Sequence, residues 1–358
     1  MASPINAKAE KDFWEYYSRQ TVLPDLSVEG QRRLRDSRVV VVGLGGLGTA
    51  SALYLALAGV GFLRLVDQDV VDYANLHRQI LYATEDVGYS KVEVAAKTLT
   101  RINPFVKVEP IADNVNASNV DTVVEGMDAI VDGLDNMRTR YLLNKASVRR
   151  RVPFIAGGAV RFEGNVSVLH PPDTACLECV FGSITDESRD SCETLGVLGA
   201  TPGIIGSIQA METVKILTGI GESLKGRFLI CDFRYAYFSV LDLPKNPACP
   251  VCGKPSAALE KPTPTPSSTG RQLAWLCGQD TANVNPPAPM TLDLNELYDA
   301  VSREFKVTLR SSFVLGFNYD EKVEVSLFKN GRMLLKQVDS EEKAWDIYSK
   351  LAAKLHLF

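Results

Sequence analysis

The sequence predicts an α/β protein with a mixed, mainly parallel sheet, followed by a small α+β module. Three observations predict it. Between residues 38 and 135 strand-like runs alternate with helical periodicity, the pattern of βαβ units with helices on both faces of a sheet. The glycine turn Gly43-Leu44-Gly45-Gly46-Leu47-Gly48 joins the first of these strands to the first of these helices. Past Cys252 the composition shifts to proline, serine and threonine before periodicity returns near residue 291.

Residues 1–35 read as a helical lead-in, ending in the charged run Gln31-Arg32-Arg33-Leu34-Arg35-Asp36. Strands are expected at 39–42, 62–66, 106–110 and 129–132, with helices at 47–58 and 92–102 between them. Further strands are expected within 152–170 and 227–243, and a buried helix at 203–217. Residues 39–63 form an uncharged stretch of 25 residues, long enough to imitate a membrane span. Its six glycines and opening run of valines read instead as strand, turn, helix, turn and strand. Residues 1–253 are thus expected to form one domain, 254–290 a proline-stiffened linker, and 291–358 an α-β-β-β-α module. In that module Asn330-Gly331 signals a hairpin, and Ser340 caps a last helix running to Leu355.

Composition excludes several functions. The 358 residues carry 39 Lys+Arg against 43 Asp+Glu, a net charge of −4, so bulk charge seeks neither nucleic acid nor anionic membrane. The N-terminus is polar, without the apolar core of a secretory signal. Three histidines, His77, His170 and His356, leave little room for a mechanism needing several imidazoles.

The glycine turn marks a Rossmann-like nucleotide site. Glycines there permit a tight turn and close approach of backbone to phosphate, and the helix start offers free N–H groups to an anion. Asp67 ends the next strand, 19 residues after Gly48, where a carboxylate accepts from ribose hydroxyls. These features alone would suit a nicotinamide or flavin dehydrogenase. The segment Asn75-Leu76-His77-Arg78-Gln79 and then Lys91 place two cations just beyond the ribose acid. Singly, each would be an ordinary surface charge. Together they suit a triphosphate, whose departing pyrophosphate they neutralise. Asp135, in Asp132-Gly133-Leu134-Asp135-Asn136, ends a strand at the ligand edge and is suited to hold Mg²⁺.

Seven cysteines, an odd count, include the pairs Cys176-x-x-Cys179 and Cys249-x-x-Cys252. This pattern points to a reducing compartment, the cytoplasm, and to a closed, structural four-thiolate zinc site. A redox dithiol is the weaker alternative. Cys192 stands apart in a polar stretch near Arg189, a setting that favours a thiolate nucleophile over a bystander. Cys231 falls in an apolar strand and reads as core, and Cys277 receives no role.

Over roughly residues 16–253 the sequence resembles the ubiquitin-activating-like adenylyltransferases, which include the molybdopterin and thiamine biosynthesis enzymes MoeB and ThiF. Ser18-Arg19-Gln20, the glycine turn, Asn75 to Gln79, Lys91, Asp132 to Asn136, both cysteine pairs and the segment from Gly203 to Glu212 carry the resemblance. It implies ATP contacts by Gly43, Gly45, Gly46, Gly48, Asp69, Gln79, Leu134 and Asn136. It also implies ribose binding by Asp67, phosphate contacts by Asn75, Arg78 and Lys91, and Mg²⁺ on Asp135. Arg19 would reach the ATP site of the partner in a homodimer. Cys192 would accept the activated carrier as a thioester, although Ser191 stands where the family usually has threonine.

The implied reaction adenylylates the C-terminal glycine of a ubiquitin-like protein ending in Gly-Gly, for transfer to a conjugating enzyme. The alternative within the family is adenylylation of a sulfur-carrier protein for molybdopterin, thiamine or tRNA thiolation. The sequence lacks the long cysteine-bearing insertion of the large eukaryotic activating enzymes, which suggests a prokaryotic or archaeal enzyme, and residues 291–358 show no evident rhodanese pattern. Two readings from other classes are the dehydrogenase and a non-catalytic scaffold.

Overall fold

The computed structural model describes residues 4–182, 184, 195–253, 272–276, 280–288 and 290–357. Cys192, Cys277 and most of the expected linker, residues 254–271, lie outside the described residues. Three helices, α1 (Pro4–Tyr16), α2 (Ser18–Thr21) and α3 (Ser27–Asp36), lead into the first domain. Its strands are β1 (Arg38–Val42), β2 (Phe62–Val66), β3 (Lys107–Ile111) and β4 (Ala129–Asp132). They continue as β5 (Phe154–Val160), β6 (Glu163–Leu169), β7 (Arg227–Asp232) and β8 (Tyr237–Asp242). The sheet order is β3-β2-β1-β4-β5-β6-β7-β8. Pairing is parallel from β3 to β5 and antiparallel from β5 to β8, the mixed sheet expected.

The four valines of β1 are buried on both faces, as a central parallel strand requires. Val39 and Val41 join Leu63, Leu65 and Leu55 on one side of the sheet. Val40 and Val42 join Phe62, Val66 and Ile130 on the other. The intervening helices are α4 (Gly46–Ala58), α5 (Lys91–Ile102), α6 (Val120–Val124), α7 (Met137–Arg150), α8 (Leu177–Phe181) and α9 (Ala200–Thr218). Helix α9 lies close against α4, because a Cβ on Gly206 would stand 2.4 Å from the Leu47 carbonyl oxygen. The uncharged stretch 39–63 resolves into β1, α4 and β2, and no helix among the described residues is long and apolar enough to cross a membrane. Cys231 is fully buried, as expected.

The second module is larger than its sequence suggests. It contains β9 (Gln272–Leu276), β10 (Thr281–Asn285), α10 (Leu294–Ser302), β11 (Lys306–Arg310), β12 (Val314–Asn318), β13 (Glu324–Phe328), β14 (Met333–Lys336) and α11 (Glu341–Lys354). All pairings are antiparallel, in the order β11-β12-β13-β14-β10-β9.

Two expectations are corrected. Strands β9 and β10 lie inside the expected linker 254–290, and β11 was absent from the expected α-β-β-β-α pattern. The prolines Pro286 and Pro287 come just after the last residue of β10, where a missing N–H costs the ladder nothing. A proline-rich average therefore hid a short strand. The Asn330-Gly331 hairpin is present, with Gly331 at φ +79. Ser340 caps α11 by accepting from the Lys343 N–H.

One face of this sheet packs Val325, Leu327, Met333 and Leu335 against Tyr348 and Leu351 of α11. The module also touches the first domain: Val314, Phe328 and Leu334 bury against Val70 and Ala112.

Candidate functional site

Connections run from β1 to β2 and β3 on one side and from β4 to β5 on the other, so the carboxyl ends of β1 and β4 flank a topological switch point. Open α/β sheets take ligands there. The glycine turn leaves β1 at Gly43, whose φ of +86 favours glycine. A Cβ on Gly48 would lie 1.8 Å from the Gly43 carbonyl oxygen, and one on Gly133 would lie 2.2 Å from it. The turn is thus pressed between its own helix and the end of β4. Gly45 and Gly46 open α4 and present its first N–H groups to the crevice.

Asp67 closes onto this turn. Its Oδ2 accepts from the Leu44 N–H at 2.6 Å and its Oδ1 from the Asp69 N–H at 2.7 Å. Burial raises its carboxyl above the ordinary range, while Lys91 and the two N–H donors oppose that rise. Lys91 starts α5 and is only 4% exposed; its Nζ meets Asp69 Oδ2 at 2.9 Å. Burial works against the ammonium, but the charges of Asp69, Asp67 and Asp135 hold it above the ordinary lysine range. Lys91, Asp67, Asp69 and Asp135 therefore act as one electrostatic cluster.

Asn75, Arg78 and Gln79 stand beyond Asp69. Arg78 Nη2 donates to Asn75 Oδ1 at 2.5 Å, and its Nη1 to Nε2 of His77 at 2.8 Å. Asp69 Oδ1, Gln79 Oε1 and Ser90 Oγ are buried without a hydrogen-bond partner among the described residues. Such orphaned polar atoms mark a place where a polar ligand completes the bonding.

On the β4 side, Asp135 is exposed at the crevice, a hard oxygen donor of the kind Mg²⁺ takes. Asn136 sits beside it, but its side chain caps α7 by accepting from the Thr139 N–H at 2.9 Å. Leu134 offers its carbonyl oxygen to Arg140 Nη2 at 2.6 Å.

Three groups here escaped sequence reasoning. Arg140 meets the buried Asp132 at 2.9 Å and also donates to the Gly157 carbonyl at 2.7 Å. Burial raises the Asp132 carboxyl and Arg140 opposes it. Gln209 donates from Nε2 to the carbonyls of Asp132 and Ile155, at 2.8 and 3.1 Å. Strands β4 and β5 diverge after two paired residues, so these carbonyls need a side-chain partner. Gln209 lay within the segment carrying the resemblance, the one signal available. The third group, Arg332 of the second module, donates to the Gln68 carbonyl at 2.5 Å, and no short-range pattern announces a partner 264 positions away. Arg140→Ala would leave Asp132 buried without its cation. A loss of about 3 kcal/mol is expected, read as a fall in Tm that Asp132→Asn in the same chain partly reverses.

The four thiols of Cys176, Cys179, Cys249 and Cys252 lie within 4.8 Å of one another. Sulfurs at ~2.3 Å from a central zinc stand about 3.8 Å apart in a tetrahedron, and the observed separations include 3.6 Å for Cys176–Cys249 and 3.9 Å for Cys176–Cys179. Burial pushes the Cys176 thiol up. For Cys249 the same effect is outweighed by the N–H groups of Cys252 and Val251, which hold it below the ordinary thiol range. The donor set fits zinc. Arg19, on α2, is exposed, and Cys192 is outside the described residues.

The family model that matches this chain is ThiF family, over residues 17–251. A SAMP-activating enzyme E1 of Haloferax volcanii is 45% identical over 239 residues, covering 66% of this chain and 88% of that protein. A sulfur carrier protein adenylyltransferase of Thermus thermophilus is 42% identical over 249 residues, covering 68% and 92%. Among solved structures, Escherichia coli MccB with ATP superposes with a TM-score of 0.60 at 27% identity, covering 67% of this chain and 75% of that one. With the match spanning the glycine turn, the lysine-centred acid cluster and the first cysteine pair, and ending one residue short of Cys252, the chain belongs to the ThiF family of adenylyltransferase-like proteins.

Proposed function

We propose that this chain activates the C-terminal glycine of a ubiquitin-like protein by ATP-dependent adenylylation, then holds it on Cys192 as a thioester for a conjugating enzyme. The observation that carries the first step is Lys91, buried at the switch point between Asp67 and Asp69. A hydride-transfer site has no use for a buried ammonium there, so the nicotinamide reading loses its support. The similarity to an enzyme named for activating SAMP supports the ubiquitin-like substrate.

In this reading Asp67 receives the ribose, and Asn75, Arg78 and Lys91 orient the phosphates. The carrier's terminal carboxylate is already ionised at neutral pH, so no general base is required. Its oxygen attacks the α-phosphorus, the bond to the bridging oxygen breaks, and pyrophosphate leaves with its negative charge facing Arg78 and Lys91. Mg²⁺ held by Asp135 would add charge neutralisation at the phosphates. Arg19 of a second copy would complete the site in a homodimer. The Cys192 thiolate then attacks the acyl carbon, and AMP leaves. Zinc on Cys176, Cys179, Cys249 and Cys252 would be structural, with every coordination position filled by protein.

A second reading has its own support in relatives named as sulfur-carrier adenylyltransferases, including the ThiS enzyme of Escherichia coli, 40% identical and covering 69% of this chain and 98% of that one. There the acyl-adenylate passes to sulfur chemistry. Intact mass under non-reducing conditions separates the two, after incubation with ATP, Mg²⁺ and a carrier ending in Gly-Gly. A thiol-reversible adduct lost in Cys192→Ala is expected. Carrier-dependent pyrophosphate exchange without an adduct favours the sulfur reading, and the absence of both signals with several carriers overturns activation itself.

A further inference from the structure

The second module lies beyond the matched family region, which ends at residue 251, yet it puts a cation against the acid cluster of the nucleotide site. Arg332, at the hairpin between β13 and β14, is 0% exposed. Its Nη2 donates to the Gln68 carbonyl at 2.5 Å and its Nη1 to Asn283 Oδ1 at 3.0 Å. The guanidinium also lies 3.6 Å from the ring centroid of Phe328. The carboxylates whose charge it feels are Asp113, Asp69 and Asp67. Four positions along the strand, Lys336 meets Asp72 Oδ2 at 3.2 Å. Asp72 in turn caps the short turn that carries Asn75, by accepting from the Ala74 N–H at 2.9 Å.

Two cations of the module therefore grip both ends of one loop: Arg332 at Gln68, between the ribose acid Asp67 and Asp69, and Lys336 at Asp72, just before Asn75. Val70, between them, is buried against Val314, Phe328 and Leu334 of the module. Within the first domain Asp67 and Asp69 face the buried ammonium of Lys91, whereas the cation that Asp113 feels is Arg332 itself. A polyphosphate adds further negative charge. Arg332 supplies the second cation and ties it to the backbone of the loop that must not move.

We propose that Arg332 is a positioning residue for the nucleotide: the second module completes the ATP site from outside by fixing the loop from Asp67 to Asn75. This inference rests on the reading of that loop as the nucleotide site. Arg332 acts through the Gln68 carbonyl and the neighbouring carboxylates, without touching the substrate itself.

Calorimetric titration of the full chain with MgATP tests it, with Tm recorded for each variant. Arg332→Met is expected to weaken MgATP binding at least about tenfold. Arg332→Lys, which keeps the charge, should recover most of that loss, a rescue that mere packing of the interface would not follow. Should Arg332→Met fail to fold, Lys336→Met carries the test, with about a threefold weakening expected. Folded variants that bind MgATP as tightly as the wild type overturn the inference and leave the nucleotide site standing. A wild-type chain that binds no MgATP overturns both.

Discussion

Replacement of Lys91 by methionine is expected to lower carrier-dependent exchange of pyrophosphate into ATP by about 10²–10³-fold, the scale on which one preorganised charge donor acts in a water-poor site. Two losses combine. The departing pyrophosphate loses a cation, and Asp67 and Asp69 are left facing the phosphates without their counter-charge. Stability falls as well, by about 2 kcal/mol, less than for a wholly buried pair because the Asp69 side chain is 32% exposed. Asp69→Asn added to Lys91→Met should restore Tm while exchange stays low, which separates the structural from the chemical role. The pH dependence has a definite sign. The folded-state lysine is raised above its ordinary 10.5, so its contribution to stability is complete below that pH and is lost only as pH rises through the folded value. Exchange rates that survive Lys91→Met within a few-fold would remove Lys91 from the mechanism.

Loss of zinc is the second large effect expected. The Cys176 and Cys179 thiols belong to the start of α8, and Cys249 and Cys252 follow β8. With Val148 of α7 they form a small separate cluster. Its local core holds two valines among the four cysteines, too little apolar surface to hold the ends of three segments together. Asn144 of α7 adds to the joint: Oδ1 accepts from the Leu177 N–H at 2.9 Å, and Nδ2 meets Glu178. Purified protein should contain about one zinc per chain. Cys176→Ser or a strong chelator should lower Tm by about 10 °C or more. Metal analysis and thermal unfolding check both statements together. A chain that carries no zinc and whose Tm ignores chelation would leave the four thiols as a packing cluster only.

What the sequence reveals is what repeats or sits close along the chain. β1 is visible because four adjacent valines have one explanation, and α5 because its apolar residues keep helical period. α7 keeps no such period: it buries Arg140, Asn144 and Ser147 alongside Leu143 and Ala146. Arg140 and Asn144 are satisfied by partners on or beside other elements and Ser147 by the Val152 carbonyl in the loop that follows. In the candidate site, Gly43 to Gly48 were legible because backbone geometry dictates glycine there, and Asp67 and Lys91 because they follow that turn in a recognisable order. Arg140, Gln209 and Arg332 were not, since what they satisfy is a carbonyl or carboxylate brought near by the fold. β9 and β10 were hidden by neighbouring prolines that lie outside the ladder. Asn136 shows the converse: its position in a recognisable motif is explained by the Thr139 N–H it caps.

The bond from Arg332 to the Gln68 carbonyl joins residues 264 positions apart. A chain made at roughly 5–20 residues per second exposes the Asp67 loop for tens of seconds before Arg332 is synthesised. During that interval Asp67 and Asp69 have Lys91 as counter-charge, but Asp113 lacks the Arg332 charge it faces in the finished chain. Assembly is therefore ordered in time. Contacts near in sequence are available first, and the loop after Asp67 gains its bond to Arg332 only when the last hairpin docks. Nascent chains released before residue 332 would carry a folded α/β domain with an unfinished acid cluster, a state distinguishable from the mature protein by its weaker hold on nucleotide.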